Sequence, residues 1–500
     1  MELDWFSKRA ELHPDKPAVA DTGLGREWTY GEMEERIKAC ARRLYSLGIR
    51  KGDRVAVLAP NHVSYFDLLF ACGRLGAIFV PLNWKLSGEE INYILGDCRP
   101  EVIAFHPEVN SLLAELQLNG ARLLNVSEDG HLSLRDGTGV FQEARREEEP
   151  LTIFYTGGTT GRPKGVVLSH RSVFWNALNT VLSWNLTDED ITLTCLPLYH
   201  TGGMNALSVP VLMAGGKVVL CREFDPRKTV ELIHQFRCTN ILLVPTMYRR
   251  LIDTEEFKQS AFPSMKVFLS GGAPCPPDIY EAFHKKGLSF KEGYGLTEAG
   301  PNNFYIDPAE TKTKKGSVGK PMLFNEVRIV RDDGSEAGSN EPGELLIRGK
   351  HMFNYYWNNE RATGEVLKDG WLYTGDLAKK DEDGYYYLVG RKKEMMISGG
   401  ENIFPVEIEN WLITHPDVGE AAVVGIPDQH WGEKAVAFIV KKGENVREED
   451  LISFCSRKLA RFKIPKHFFF VDELPKTHVG KIDKKALQKM GIYLNKTAKQ

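Results

Sequence analysis

The chain has 500 residues, which is enough for several domains or for one large domain with a small one. A hydrophobic content of 42%, a charged content of 26% and a net charge of -3 are ordinary for a globular protein, and they give no general reason to expect a nucleic acid as partner. The eight scattered cysteines form no C-x-x-C pair and no H-E-x-x-H motif occurs, so we expect neither a zinc site nor a disulfide framework.

The chain begins with charged residues. The segment MELDWFSKRAELHPDKP (1–17) lacks the apolar region of a secretory signal. No run of about 18 apolar residues is available to span a bilayer. We therefore expect a cytoplasmic protein without an integral membrane segment.

Residues 1–140 alternate between helical and strand patterns. Apolar residues at helical spacing predict a helix over 30–48 that stops at Gly48. DRVAVLAP (53–60) is typical of a buried strand, and a further helix and strand follow over 65–82. This alternation predicts an α/β fold with a mostly parallel sheet.

The next stretch contains the densest glycine cluster. YTGGTTGRPKG (155–165) offers backbone N–H groups, threonine hydroxyls and a lysine, which together suit a phosphate. It does not fit G-x-x-x-x-G-K-[ST], because Pro163 precedes Lys164. Strand-like residues flank it on both sides, so we expect the loop to join two strands.

The alternation of strand and helix patterns returns over 215–272, and the sequence pattern changes beyond about residue 310. NEVRIVRDDGSEAGSNEPGELLIRG (325–349) has two period-2 stretches around a polar turn and predicts a hairpin. New elements begin after GYYYLVGRKKEMMISGG (384–400), so we place a domain boundary near Arg391–Lys393. The predicted fold is a large N-terminal domain of mostly parallel α/β sheets with a β-rich subdomain (1–392) and a small α+β C-terminal domain (393–500).

The C-terminal residues are basic. Between Arg457 and Gln500 there are twelve lysines and arginines and three acidic residues. Most of these charges belong on a solvated face, while some can meet a polyanionic ligand.

Six further segments accompany the glycine-rich loop. They are LPLYHTGGMN (196–205), LSGGAP (269–274), EGYGLTEAG (292–300), WLYTGD (371–376), GRKKEMMISGGENIFPVEIE (390–409) and LPKTHVGK (474–481). Glycines after a strand are individually weak signals, but this order of motifs is specific. Over essentially its whole length, the chain resembles the adenylate-forming superfamily that contains acyl-CoA synthetases, nonribosomal-peptide adenylation domains and firefly luciferase. The resemblance is closest to stand-alone fatty-acyl- and aryl-CoA ligases.

The resemblance implies ATP, Mg²⁺ and coenzyme A as cofactors and co-substrates. Tyr294 would stack on adenine, Thr297 would hold the α-phosphate, and Glu298 would bind Mg²⁺. Asp376 would accept hydrogen bonds from the ribose hydroxyls, with Arg391 beside the sugar. The remaining nucleotide-binding residues implied are Thr156, Gly158, Thr159, Thr160, Lys164, Gly272, Ala273 and Gly295. Gly157 stands where relatives most often have serine, which removes one hydroxyl donor.

The resemblance also implies the reaction and its moving part. Lys481 would bridge the substrate carboxylate and the α-phosphate, and His200 is a second candidate catalytic residue. The mobile C-terminal domain would rotate about Lys393 between adenylation and thioester formation. The implied coenzyme A contacts are Gly399, Gly400, Trp431 and Lys466. Ile464 stands where one branch of relatives has arginine.

The implied acyl pocket is lined by small residues and has no fixed charge. Its predicted walls are Thr201, Gly202, Met204, Gly271, Leu296, Pro301 and Asn302. We expect a medium- or long-chain fatty acid as substrate, with an aryl acid such as a benzoate or cinnamate as the alternative.

Several other functions stay open at this point. An enzyme that loads a carrier protein is one, although an amino acid is disfavoured because no acidic residue lies between Leu196 and Cys221. A luciferase-type oxygenase shares the adenylation motifs. A catalytically inactive nucleotide-binding protein should have lost Lys164, Glu298 or Lys481, and all three are present. The protein could be a monomer or a homodimer.

Overall fold

A computed structural model describes residues 4–127, 146–157, 162–398, 401–428, 431–443, 446–476 and 482–497. The strands are β1 (Pro17–Asp21), β2 (Arg26–Thr29), β3 (Arg54–Leu58), β4 (Ile78–Leu82), β5 (Val102–Phe105), β6 (Arg122–Asn125), β7 (Pro150–Thr156), β8 (Lys164–Ser169), β9 (Ile191–Thr194), β10 (Lys217–Leu220), β11 (Asn240–Leu243), β12 (Val267–Ser270), β13 (Phe290–Glu292), β14 (Phe304–Tyr305), β15 (Lys320–Pro321), β16 (Glu326–Val330), β17 (Gly343–Arg348), β18 (Tyr355–Tyr356), β19 (Leu367–Lys368), β20 (Trp371–Lys380), β21 (Tyr386–Arg391), β22 (Met396–Ser398), β23 (Glu401–Ile403), β24 (Val418–Asp428), β25 (Gly432–Lys441) and β26 (His467–Val471).

The helices lie between these strands. They are α1 (Trp5–Leu12), α2 (Tyr30–Ser46), α3 (Ser64–Leu75), α4 (Gly88–Cys98), α5 (Asn110–Leu113), α6 (His170–Ser183), α7 (Thr201–Gly203), α8 (Val209–Ala214), α9 (Pro226–Phe236), α10 (Pro245–Ile252), α11 (Glu255–Gln259), α12 (Pro277–Lys285), α13 (Glu360–Val366), α14 (Pro405–Leu412), α15 (Glu448–Ser456) and α16 (Lys484–Thr497). Within the described residues, no helix is both long and apolar enough to cross a lipid bilayer.

Local sequence accounts for the elements predicted near the start of the chain. Helix α2 begins at a capping box, in which Thr29 and Glu32 each bind the other's backbone N–H. It ends just before Gly48, whose φ of 84° a side chain would disfavour. Strands β3 and β4 are short apolar runs that are buried on both faces, as is typical of parallel sheets.

Two seven-stranded sheets form most of the N-terminal part. One has the order β13-β12-β11-β9-β10-β1-β2 and is parallel except for β2. The other has the order β18-β8-β7-β4-β3-β5-β6, in which β7 and β8 form an antiparallel hairpin. Helices connect successive parallel strands and cover the sheets. The mostly parallel α/β architecture predicted from the sequence is confirmed.

The first sheet has a switch in strand order. Strand β9 is followed by β10 on one side, and the chain then returns to place β11 on the other side of β9. The loops after β9 and β11 therefore leave the sheet on either side of a crevice. Open α/β sheets bind their ligands at such a crevice.

Smaller antiparallel sheets follow in the chain. Strands β16 and β17 form the hairpin predicted over 325–349, and β19, β20 and β21 extend it to five strands. The last sheet has the order β23-β22-β25-β24, with β26 parallel to β25. Helix α14 packs on β24, and α16 packs on the same strand. The described C-terminal part is therefore α+β, as predicted.

Candidate active site

Three of the predicted motifs lie at one edge of the first sheet. The segment 196–205 follows β9, the segment 271–274 follows β12, and the segment 293–300 follows β13. These strands are parallel, so their carboxyl ends point the same way. The N–H of Gly271 donates to Leu243 O at 3.2 Å, and the N–H of Gly293 donates to Ser270 O at 2.8 Å. Hydrogen bonds thus continue beyond the strands and hold the loops side by side.

The glycine-rich loop joins β7 to β8, which confirms the predicted strand–loop–strand setting. Thr156 and Lys164 pair across the mouth of this hairpin. A Cβ at Gly165 would lie 2.8 Å from Ile153 Cγ2, so glycine is required there by packing. Gly158, Thr159 and Thr160, which were predicted to contact phosphate, lie outside the described residues.

The three residues predicted around the nucleoside are in mutual contact. The hydroxyl of Tyr294 donates to Asp376 Oδ2 at 2.6 Å, and Arg391 Nε lies 2.8 Å from Asp376 Oδ1. Asp376 and Arg391 are register partners on β20 and β21. Burial, and then the charge of Asp376, raise the pKa of Tyr294 well above its usual value, so its hydroxyl stays protonated. An ionised carboxylate accepts hydrogen bonds and donates none, which is the chemistry predicted for Asp376 towards the ribose hydroxyls.

Glu298 lies in a short turn of 3₁₀ helix, Thr297–Ala299. Its Oε1 accepts a hydrogen bond from the hydroxyl of Tyr356 at 2.7 Å. Its backbone oxygen accepts one from the N–H of Phe353 at 2.8 Å. The ammonium group of Lys164 lies 4.9 Å from the centre of the Tyr356 ring. Sequence reasoning did not identify Tyr356.

The oxygens of Glu298 suit Mg²⁺, which is a hard cation. Within the described part of the chain, no group of three His, Cys, Asp or Glu side chains could hold a metal ion by itself. Mg²⁺ usually takes one or two carboxylates from a protein and its other ligands from nucleotide phosphates and water, and Glu298 has a carboxylate to offer.

Asn61, which follows β3 of the second sheet, binds the segment after β9. Its Nδ2 donates to Leu196 O at 3.0 Å, and its Oδ1 accepts from the N–H of Leu198 at 2.8 Å. His200 follows, and its backbone oxygen accepts from the N–H of Gly203, which ends α7, at 3.0 Å and from the N–H of Met204 at 3.1 Å. Asn61 was also missed, because nothing in the local sequence connects positions 61 and 196.

The predicted acyl-pocket residues differ in what surrounds them. Among the described residues, a Cβ at Gly202 would meet Leu196 Cδ1 at 3.9 Å, an ordinary van der Waals distance, so Gly202 leaves room for a neighbouring group. A Cβ at Gly271 would lie 3.3 Å from Leu242 Cδ1, which is a tight contact. Gly295 is different, because its Cβ would lie 2.1 Å from Pro301 O. The close backbone approach explains that glycine.

Buried polar contacts fix other predicted members of the pocket. Asn302 donates from Nδ2 to Thr180 Oγ1 at 3.0 Å and to Ala206 O at 2.7 Å. The hydroxyl of Thr201 accepts from Asn205 Nδ2 at 3.0 Å. Both residues are thus anchored within the protein. Met204 is buried, while Leu296 and Pro301 are partly buried.

The loop predicted to line adenine contains Gly272, with a φ of 81°, and the exposed Ala273. Its far end is tied to a buried carboxyl group. Glu292 accepts from the N–H of Cys275 at 3.1 Å and from the hydroxyl of Tyr280 at 2.9 Å. Burial raises the pKa of Glu292 to about 8. Sequence reasoning did not identify this contact either.

The predicted hinge and two of the predicted coenzyme A contacts lie in the described C-terminal part. Lys393 lies in the short 3₁₀ turn Lys392–Glu394 that follows β21. Burial, and then the positive charge of Arg391, lower the pKa of Lys393. Trp431 is 44% exposed, and Lys466 Nζ lies 5.7 Å from the centre of its ring. Three other predicted residues, Gly399, Gly400 and Lys481, lie outside the described residues.

Comparisons with known proteins identify the family of the chain. The family model described as "AMP-binding enzyme" matches residues 6–357, and "AMP-binding enzyme C-terminal domain" matches residues 407–481. Feruloyl-CoA synthase of Amycolatopsis sp is 38% identical over 479 residues, with 96% of each chain covered. Indoleacetate–CoA ligase of Aromatoleum aromaticum is 38% identical over 496 residues, with 97% of each chain covered.

A solved structure has the same fold. The o-succinylbenzoate CoA synthetase of Bacillus subtilis, in complex with its acyl-adenylate intermediate, superimposes with a TM-score of 0.89 at 31% identity, covering 97% of this chain and 98% of that one. The same enzyme has been solved with ATP and a magnesium ion, and that structure gives a TM-score of 0.87. The chain therefore belongs to the AMP-binding enzymes of the adenylate-forming superfamily, and it is an AMP-forming acid–CoA ligase.

Proposed function

We propose that this ligase activates an aryl or arylalkanoic acid. The observation that carries the proposal is the 38% identity, over almost the whole chain, to a feruloyl-CoA synthase and an indoleacetate–CoA ligase. The expected fatty acid has weaker support, from a fatty acyl CoA synthetase of Mycobacterium tuberculosis that is 31% identical with a TM-score of 0.78. The aryl acid, which was the alternative, becomes the proposed substrate.

The surroundings of the pocket are compatible with a flat ring. Gly202 and Gly271 each present a backbone without a side chain, and Leu196 and Leu242 are the nearest groups that a side chain there would meet. A planar ring can pack against such exposed backbone, because no Cβ holds it away.

In the proposed adenylation step, one carboxylate oxygen attacks the α-phosphorus of ATP. A new O–P bond forms, the bond to the bridging oxygen breaks, and pyrophosphate leaves with that electron pair. Lys164 and Lys481 supply positive charge, and Thr297 holds the α-phosphate. A magnesium ion bound at Glu298 would neutralise phosphate oxygens. These groups act where charge develops, which is how placed cations lower such barriers.

In the proposed second step, the thiol of coenzyme A loses its proton and its sulfur attacks the acyl carbon. A C–S bond forms, the C–O bond to AMP breaks, and AMP leaves. Gly399, Gly400, Trp431 and Lys466 are proposed to contact coenzyme A. His200 is proposed to lie next to the reacting carboxyl group, because it joins the β9 loop to the pocket residues that follow it.

The test measures pyrophosphate release with a panel of acids. We expect kcat/KM for ferulate, indoleacetate or benzoate to exceed that for decanoate and palmitate by at least about tenfold, since a buried ring and a flexible chain differ by more than 1.4 kcal/mol in a shaped pocket. Mass spectrometry should detect the matching acyl-CoA. A fatty acid as the best substrate would contradict the proposal.

Glu298→Gln is the control for catalysis in this panel. Loss of the carboxylate should lower adenylation of every acid by about 10²–10³, which is typical for one electrostatic group. Near-normal adenylation by this variant at saturating Mg²⁺ would show that Glu298 is not the metal ligand.

A further inference from the structure

Tyr356 lies at the meeting point of two motifs that are far apart in the sequence. It is in the two-residue strand β18, which pairs antiparallel with β8 and places Tyr356 opposite Val166. That position is two residues from Lys164 on the neighbouring strand. Tyr356 is 6% exposed, whereas the adjacent Tyr355 is 37% exposed. Successive strand residues point to opposite faces, so only Tyr356 faces the site.

The segment around β18 is tied to both sides of the site by its backbone. The N–H of Asn354 donates to Val167 O at 2.9 Å, and the N–H of Trp357 donates to Gly165 O at 2.7 Å. The N–H of Phe353 donates to the backbone oxygen of Glu298. Residues 353–357 thus bridge the strand of the glycine-rich hairpin and the turn that carries Glu298.

The side chain of Tyr356 adds two specific contacts to this bridge. Its hydroxyl donates to Glu298 Oε1 at 2.7 Å, and Lys164 Nζ lies 4.9 Å from its ring centre. A phenol hydroxyl donates and an ionised carboxylate only accepts, so the contact holds Glu298 through one of its two oxygens. Within the described residues, no hydrogen bond or ion pair is recorded for the other oxygen of Glu298, which suits a cation.

We propose that Tyr356 is a positioning residue for magnesium–ATP, which orients the carboxylate of Glu298 through its hydroxyl and the ammonium group of Lys164 through its ring. The proposal rests on the roles proposed above for Glu298 and Lys164. Partners of this kind fix a ligand's orientation, and their loss typically costs about 10- to 100-fold in metal affinity or activity.

The principal experiment compares Tyr356→Phe with the wild type. The substitution removes the hydroxyl and keeps the ring over Lys164. We expect the Mg²⁺ concentration that half-saturates adenylation to rise about tenfold, in line with the loss of such a partner. Calorimetry should show weaker binding of ATP with Mg²⁺ and unchanged binding of ATP with EDTA. The KM for the acid should be unchanged.

Two further variants separate the parts of the proposal. Tyr355→Phe is the matched control, because it removes a hydroxyl from the adjacent, more exposed ring, and it should change none of these values. Tyr356→Leu also removes the ring beside Lys164, so it should weaken ATP binding in EDTA as well. Equal losses with and without Mg²⁺ in Tyr356→Phe, or an unchanged Mg²⁺ dependence, would overturn the proposal.

A double-mutant cycle with Glu298→Gln removes the remaining ambiguity. If Tyr356 acts through Glu298, adding Tyr356→Phe to Glu298→Gln should produce no further change in the Mg²⁺ dependence of ATP binding. If the two substitutions have additive effects on the Mg²⁺ dependence of ATP binding, the proposal is contradicted. This conclusion holds even if Tyr356→Phe also lowers the unfolding temperature. Binding is measured without an acid, so the outcome does not depend on which acid the enzyme uses.

Discussion

Gly202 and Gly203 are neighbours in the sequence, but the structure assigns them different roles. A Cβ at Gly202 would lie no closer than 3.9 Å to its nearest neighbour, Leu196 Cδ1. A Cβ at Gly203 would lie 2.2 Å from Pro197 O, which is closer than atoms can approach. Gly202 therefore leaves space, whereas Gly203 permits the backbone to turn back on itself.

This difference predicts distinct outcomes for two alanine variants. Gly202→Ala should fold normally and shift the preference towards smaller acids, because a side chain added to a filled pocket costs about 1–3 kcal/mol. Gly203→Ala should lower the unfolding temperature, because the backbone itself must move. Thermal melts and the acid panel measure both effects. A normal melt for Gly203→Ala, or an unchanged acid profile for Gly202→Ala, would show that these roles are wrong.

At the scale of the element, strand β13 carries a buried basic residue, Lys291, next to a buried acidic residue, Glu292. Lys291 is 4% exposed and its ammonium group lies 4.2 Å from the ring centre of Trp184 and 4.4 Å from that of Tyr305. Burial lowers the pKa of Lys291 to about 7 and raises that of Glu292 to about 8. The strand thus leads into the predicted adenine-binding motif with Glu292 mostly protonated at neutral pH and Lys291 divided between its charged and neutral forms.

The buried acid predicts a pH dependence of stability. The pKa of Glu292 is about 8 in the folded protein, against 4.5 for an ordinary glutamate. Between these values the folded state holds a proton that the unfolded chain has released, so the free energy of unfolding falls as pH rises from about 4.5 to about 8. Glu292→Gln imitates the protonated acid and removes this fall.

Thermal melts of the wild type and Glu292→Gln at pH 5, 6.5 and 8 should test this. The unfolding temperature of the variant should exceed that of the wild type by a margin that grows with pH. Both proteins contain Lys291, so the titration of Lys291 cancels from the comparison. The exposed Glu281 on α12 gives the control, because Glu281→Gln should show no such trend. A pH-independent difference would mean that Glu292 is ionised in the folded protein.

At the scale of the whole molecule, the described hydrophobic clusters divide near the predicted hinge. The hydrophobic clusters of the C-terminal part contain residues from the range 396–494. The clusters of the N-terminal part contain residues up to Leu388. The segment between them contains the 3₁₀ turn with Lys393. We propose on this basis that residues 1–392 and 393–500 are separate domains, with Lys393 as the hinge.

The domain proposal predicts complementary defects in two variants. Lys393→Pro should adenylate the acid, release one equivalent of pyrophosphate and then stall with coenzyme A present, because proline fixes the φ that a rotation would change. It should still fold, since proline is tolerated in the first turn of a helix. Lys481→Ala should lose adenylation by about 10²–10³ and still convert a preformed acyl-adenylate to thioester.

Rapid-quench measurement of pyrophosphate and of thioester separates these half-reactions. Similar damage to both steps in each variant would contradict a domain that alternates between them.

The sequence alone determined the family, the mostly parallel α/β architecture and the strand–loop–strand setting of the glycine-rich segment, because motifs and short apolar runs are local properties of a chain. It also predicted Tyr294, Asp376 and Arg391, which the fold brings into contact. Only the tertiary structure showed the contacts of Tyr356, Asn61 and Glu292. Each of these contacts a loop that is far from it in the sequence or that leaves a different strand. Such contacts depend on strand order and register, and no local pattern records which strands become neighbours.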